Sequence, residues 1–209
     1  QRFAANLETM SGGRMKVNYF AANERVKAFD SFDEVASGNA QIYHAADYYW
    51  KGKHPGWAYF TAVPFGFVYS EINAWINWGG GQELWDELSG EFGLKCLTCG
   101  NTGVQMGGWF RKEIKSPDDF KGLKFRMPGL GGRALGYMGA SVQNIPGSEI
   151  YHALSSGALD GTEWIGPWAD EKAGFQGSAR YYYTAGFHEP SAGFSLSVNL
   201  DVFESLKPS

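Results

Sequence analysis

Apolar and polar positions along this chain follow two periods in turn. "RFAANLETMSGG" places Phe3, Leu7 and Met10 on one side at helical spacing, and Gly12-Gly13 stops the run. "MKVNYF" then alternates with period two and predicts a strand. "SFDEVASGN" reads as a short helix, capped by Ser31 and stopped at Gly38, and "AQIYHA" as a strand. "PFGFVYS" carries Pro and Gly and predicts loop and turn. "NAWINWGGGQELWDELSGEFG" holds a helix near 82–92, and "LKCLTC" and "VQMGGWF" predict strands. "SPDDFKG" gives a cap and one helical turn that leads into "LKFRMPG". A helix near 131–139, the segment "SVQNIPG", a helix capped by Ser148, "ALDGTEWIG" and a helix near 168–178 follow. Such alternation predicts α/β architecture.

In "LKFRMPG", Leu123, Phe125 and Met127 alternate with Lys124 and Arg126, and Pro128-Gly129 ends the strand. Arg126 therefore falls on the polar face beside a chain reversal, as a solvated edge charge or as an anchor for an anion. "FDEVASGNAQIYHA" and "YHALSSGALDGTEW" echo each other, each running helix, Ser-Gly, small residue, strand. Two similarly built lobes would then aim strand ends at one cleft, where ligands of α/β sheets bind. Tyr43 to Tyr49 would lie there in one lobe and Glu163-Trp164 in the other.

The 209 residues are 44% apolar and 19% charged, a globular composition with room for one large or two small domains. The net charge of −4 gives no electrostatic case for nucleic acid or an anionic membrane. Eight Trp and eleven Tyr suit half-wet cavities as well as a core. Cys96 and Cys99 form a C-x-x-C, but no second ligand pair accompanies them, and Gly100-Asn101-Thr102-Gly103 does not open a helix as a redox pair would. The chain opens on a helix with no strand before it, and "LDVFESLKPS" begins a helix and stops. On that ground it is expected to be a fragment lacking a first strand and C-terminal helices.

Gln105, Arg126, Glu163 and Glu189 sit at strand ends or turns beside apolar neighbours. The planar fork of Arg126 suits a carboxylate. Should both glutamates and an anionic ligand converge on it, like charges about 5 Å apart would repel by roughly 3 kcal/mol at an effective dielectric near 20. Such a site needs a cation or a protonated glutamate. Oxygen-only donors favour sodium or calcium over zinc. Gly129-x-Gly131-x-x-Ala134 follows a strand and precedes a helix, as a dinucleotide fingerprint would, but Glu149 lies at a helix start rather than a strand end. The plainer reading is a glycine-rich helix start that lets backbone lie close to a ligand or to the other lobe. No G-x-S-x-G, H-E-x-x-H or P-loop is present, and none of the four histidines has an evident acid partner.

"NTGVQMGGWFRKEIKSPDDFKGLKFRMPGLGG", with "IPGSEIYHALSSGALDGTEWIGPWADEKAGF" and "YYYTAGFHEPS", resembles the substrate-binding proteins of TRAP transporters, the DctP family. The likeness is greatest to the branch that binds 2-oxo acids and lactate, and it covers nearly the whole chain. It implies an α/β, two-lobed periplasmic-binding-protein-like fold with a ligand cleft between lobes. Lobe I is expected over 1–104 and 165–192, lobe II over 105–164 and 193–209. The implied role is periplasmic and not catalytic: capture of a small carboxylate and delivery to the membrane subunits of a sodium-driven TRAP transporter. Arg126 stands where the family's arginine pairs with the substrate carboxylate. Gln105 stands at the cation–substrate site, Glu163 and the main-chain carbonyl of Trp164 at the cation, and Glu189 at its second carboxylate. Tyr49, in "ADYYW", matches a ring from the other lobe, and the ring of Trp164 would cover the ligand. A sodium or calcium ion bridging the substrate is thereby implied. Family members are longer, and a homodimer supported by a C-terminal helix is left open. The residues also leave two rivals, a sugar-binding module suggested by the Trp and Tyr content and a metal-dependent enzyme acting on a 2-oxo acid.

Overall fold

The computed structural model describes residues 2–206; Gln1 and 207–209, at the outer ends of the expected lobes, lie outside them. The helices are α1 (Arg2–Met10), α2 (Ser31–Ala36), α3 (Tyr69–Trp78), α4 (Gly81–Gly90), α5 (Gly129–Tyr137), α6 (Gly147–Ser156), α7 (Pro167–Lys172) and α8 (Leu200–Ser205). The strands are β1 (Ile42–Ala45), β2 (Leu94–Asn101), β3 (Gly108–Phe110), β4 (Lys124–Arg126), β5 (Ser141–Gln143), β6 (Gly161–Thr162), β7 (Tyr181–Tyr183) and β8 (Gly193–Asn199).

Two sheets divide these strands between two lobes. The first has the order β1-β8-β2, antiparallel throughout. The second has the order β5-β4-β6-β3-β7, with β4 parallel to β5 and β6 and β3 antiparallel to β6 and β7. This pairing corrects the expected boundaries. β7 lies within 165–192 but belongs with β3, and β8 lies within 193–209 but is the middle strand between β1 and β2. Alternation does not say which sheet a strand joins; buried polar groups do. Ser195 and Ser197 of β8 are buried, and their hydroxyls find partners in the first lobe. Ser195 donates to Ala45 O and Asp47, and Ser197 lies 3.1 Å from Cys96 Sγ.

The expectation of a fold cut short by a missing first strand and C-terminal helices is also corrected. The described residues form both sheets and a core beneath each. α1 buries none of its residues. "MKVNYF" forms no strand, although Met15 and Val17 alternate with exposed neighbours. α3 goes unread by sequence pattern; a left-handed Gly80 (φ 82°) separates it from α4.

Aromatic rings fill the first lobe. Phe32, Trp57, Phe60 and Trp85 are packed with Leu94 and Cys96, and the Phe60 and Trp85 rings stack at 5.2 Å. In the second lobe one core gathers on Phe125, Met127 and Leu135, another on Ile150, Leu154 and Phe175. Burying a large apolar side chain contributes about 1.5–3 kcal/mol, which holds each sheet to its own helices.

Asp47 opens the 3-10 turn Asp47–Trp50 that carries Tyr48 and Tyr49. Its carboxylate is buried and accepts from Ser195 Oγ at 2.5 Å and Trp85 Nε1 at 2.9 Å. Burial pushes its pKa from 3.8 up to about 7, against the pull of those two bonds. Tyr43 on β1 and Cys96 on β2 face it as further titratable groups. An acid with a raised folded pKa stabilises the fold below its unfolded pKa, and that stability is lost as pH rises through the folded value. Wild type should therefore weaken between about pH 4 and pH 7, by up to roughly 1.4 kcal/mol per pH unit. Urea midpoints over this range should lack that slope in Asp47→Asn; parallel curves would contradict the assignment.

Candidate functional site

β4 and β6 run parallel and place two charged side chains next to each other. Arg126 aligns with Thr162, and the following residue, Glu163, donates its N–H to Arg126 O at 3.2 Å. Arg126 Nη1 donates to Glu163 Oε1, Nη2 to Tyr49 Oη at 3.3 Å, and Nε to Ile145 O at 3.3 Å. Arg126 is 1% exposed and Glu163 0%. Of the two readings of Arg126, burial removes the solvated edge charge: the last residue of a short parallel strand meets the opposite lobe instead of water. The Trp164 ring centroid lies 5.3 Å from Arg126 Cζ. Gly147 makes room for that ring, since a Cβ there would come within 2.3 Å of it.

The chain passes between the lobes at 102–107 and 184–192, and these crossings supply Gln105 and Glu189. Gln105 N–H donates to Glu189 O at 3.1 Å, and Met106 N–H to Ile165 O at 3.0 Å. Backbone bonds thus tie Gln105, Glu163, Trp164 and Glu189 into one frame. Asp170 on α7 braces it, accepting from the N–H groups of Ile165 and Gly166 at 3.0 and 2.9 Å. A Cβ at Gly186 would sit 2.0 Å from Gln105 O, so only glycine lets the two crossings lie this close.

The first lobe forms the facing wall. Tyr49 reaches Arg126, and Lys51 Nζ donates to Gly129 O at 2.7 Å. A Cβ at Gly129 (φ 67°) would come within 2.6 Å of the Tyr48 ring, and one at Gly131 within 2.7 Å of His188 Cβ. The glycines at 129–132 thus serve close approach between α5 and its neighbours, not a dinucleotide. The two echoing segments also match in form: Gly38 and Gly157 both have φ 80° after a helix, and both strands that follow end at this cleft.

Among the described residues, eight buried side-chain polar atoms lack a hydrogen-bond partner, and five are here. They are Gln105 Oε1, Glu163 Oε2, Glu189 Oε2 and both ring nitrogens of His188. A buried polar atom without a partner costs about 1–3 kcal/mol, so five at one place point to a ligand. Ligand atoms of Glu163, His188 and Glu189 lie within 4.8 Å of one another. Burial, and then the charge of Glu163, push Glu189 well above the usual carboxylate range. Burial opposes the Arg126 charge most strongly, but Glu163, Tyr49 and Tyr48 together outweigh it and hold the guanidinium above its ordinary value. Two carboxylate oxygens and an amide oxygen fit a hard cation such as sodium or calcium.

All six residues singled out from sequence meet here: Gln105, Arg126, Glu163, Trp164, Glu189 and Tyr49. His188, Asp170 and Lys51 went unread, and Tyr48 was placed at the cleft only within the segment Tyr43 to Tyr49. His188 has the acid neighbour the sequence hid: its Nε2 lies 3.4 Å from Glu163 Oε2. Its position directly before Glu189 was the available signal. Cys96 and Cys99 are both free thiols on β2, remote in role from this cluster, and burial pushes the Cys96 thiol up.

The family model for bacterial extracellular solute-binding proteins, family 7 (DctP), matches residues 1–209. The chain belongs to that family. It is periplasmic, as that family is. It is 43% identical over 203 residues to a monocarboxylate 2-oxoacid-binding periplasmic protein of Nostoc sp., covering 97% of this chain and 56% of that protein. A TRAP periplasmic solute-binding protein of Pseudoalteromonas atlantica, solved with bound sodium and pyruvate, superposes with TM-score 0.95 at 46% identity. One from Colwellia psychrerythraea, solved with bound calcium and pyruvate, gives 0.94 at 45%. Each superposition covers 98% of this chain and 62% of the other. The chain thus spans somewhat over half the length of these relatives, while its own residues lie almost entirely within the shared two-lobed fold.

Proposed function

We propose that this protein captures a small 2-oxo or 2-hydroxy monocarboxylate, of the pyruvate and lactate class, together with a sodium or calcium ion. The observation that carries this reading is the group of unpartnered oxygens on Gln105, Glu163 and Glu189, buried beside the Arg126 guanidinium. In this reading Gln105, Glu163, Glu189 and the main-chain carbonyl of Trp164 hold the cation. Arg126 takes the substrate carboxylate, Tyr49 bonds it from the first lobe, and the Trp164 ring covers it. A bound cation supplies the positive charge that lets two glutamates and an anion share one enclosure. The relatives solved with sodium or calcium and pyruvate support the choice of ligand class. The lobes that close are the ones the sheets define, with the crossings at 102–107 and 184–192 between them. Closure is driven by the ligand's higher affinity for the closed form. Delivery to TRAP membrane subunits follows from the family, and a homodimer belongs to the same proposal.

Titration calorimetry tests the reading. Pyruvate or lactate should bind in the presence of sodium or calcium, and neutral sugars should give no heat. Thermal stabilisation by neutral sugars and not by small carboxylates would overturn it in favour of a sugar module.

A further inference from the structure

His188 sits at the centre of the cluster and has no place in the donor set just proposed. It is 1% exposed, and neither ring nitrogen has a hydrogen-bond partner. Its backbone is held by the crossing at 184–192, where Glu189 N–H donates to Gly186 O at 3.0 Å. Its Cβ lies against Gly131, where any larger residue would displace it. The ring is therefore fixed by packing, with Nε2 3.4 Å from Glu163 Oε2.

A buried imidazole with both nitrogens unmatched is costly unless something takes a nitrogen's electron pair or its proton. Glu163 and Glu189 each turn an unpartnered oxygen to the same space. Two carboxylate oxygens and one imidazole nitrogen form a mixed donor set. Sodium and calcium take oxygen and have little use for nitrogen. First-row divalent ions such as manganese and zinc accept both.

We infer that His188 is a nitrogen donor that lets this cation site bind manganese or zinc as well as the oxygen-seeking ions. The inference rests on the proposed cation site at Glu163 and Glu189 and adds a ligand and a class of ion to it. It also gives the otherwise unused imidazole a role in selecting between ions. With a transition ion, His188 joins Glu163 and Glu189; with calcium or sodium it stands aside and the oxygens serve alone.

The test uses the purified chain loaded with Mn2+ and, separately, titrated with Zn2+ and Ca2+. Electron spin-echo envelope modulation of the Mn2+ form should show 14N coupling from a directly bound imidazole. His188→Ala should abolish that coupling and weaken Zn2+ by roughly tenfold or more, with Ca2+ affinity changed less than about twofold. His188→Asn keeps a polar group at the Nδ1 position but does not reach as far as Nε2, so it carries the same comparison where the alanine variant fails to fold. Ca2+ binding with no 14N coupling, or parallel losses for Zn2+ and Ca2+ in both variants, would overturn this inference alone. Binding of none of these ions to folded wild type would overturn it together with the cation site itself.

Discussion

Arg126→Ala should give no detectable heat with pyruvate or lactate at concentrations that saturate wild type. Two effects add. The variant loses the fork that would hold the carboxylate, and it leaves Glu163 and Glu189 buried without their one neighbouring guanidinium. Truncating one partner of a buried, hydrogen-bonded charge pair costs about 2–5 kcal/mol, which is roughly thirtyfold to several thousandfold in Kd. Stability should fall too, because Glu163 loses its Oε1 partner. Near-UV circular dichroism and a thermal melt separate lost binding from lost fold. Arg126→Lys keeps the charge but not the planar fork, so it should bind more weakly than wild type and fold better than the alanine variant. Wild-type-like affinity in folded Arg126→Ala would remove Arg126 from the carboxylate role.

Gln105, Arg126, Glu163 and Glu189 stood out in the sequence as polar residues at strand ends or turns, while the roles given to them came from the family resemblance. Gln105, Glu163 and Glu189 each sit where a strand or crossing ends, and polar residues there have no sheet neighbours to satisfy them. The echo between the Gly38 and Gly157 segments told where the two strand ends would meet. What escaped was set by contacts between distant segments. His188 reads as one histidine among four until its Cβ is seen packed against Gly131 and its Nε2 3.4 Å from Glu163. Asp170 looks like any first-turn helix acid, yet it bonds backbone of the Glu163-Trp164 loop from the far side. β8 could not be assigned to a sheet by its alternation, since its buried Ser195 answers to Asp47, a residue 148 positions away. The abundance of rings suited a cavity and a core alike: Phe32, Trp57, Phe60 and Trp85 fill the first-lobe core, Tyr48, Tyr49 and Trp164 stand at the cleft, and Tyr59, Phe65, Tyr69 and Trp78 are exposed.

Cation and carboxylate should bind as a coupled pair, each tightening the other. In this structure the Arg126 fork is already engaged: Nη1 by Glu163 and Nη2 by Tyr49. A substrate carboxylate must therefore displace Glu163 from the guanidinium. A cation that draws the Glu163 carboxylate to itself frees the fork, and an anion on the fork frees Glu163 for the cation. Such coupling is reciprocal in free energy, and values of about 1–3 kcal/mol are typical, or roughly 5- to 150-fold in affinity. Pyruvate titrations at rising calcium should show Kd falling until the cation saturates. Calcium titrations with and without pyruvate should show the same factor. Glu163→Gln loosens the hold on Arg126 and also removes a charged cation ligand, so in that variant pyruvate affinity should be weaker than the saturated wild type and nearly independent of calcium. An unchanged pyruvate Kd in sodium- and calcium-free buffer would mean that Glu163 does not stand between the two ligands.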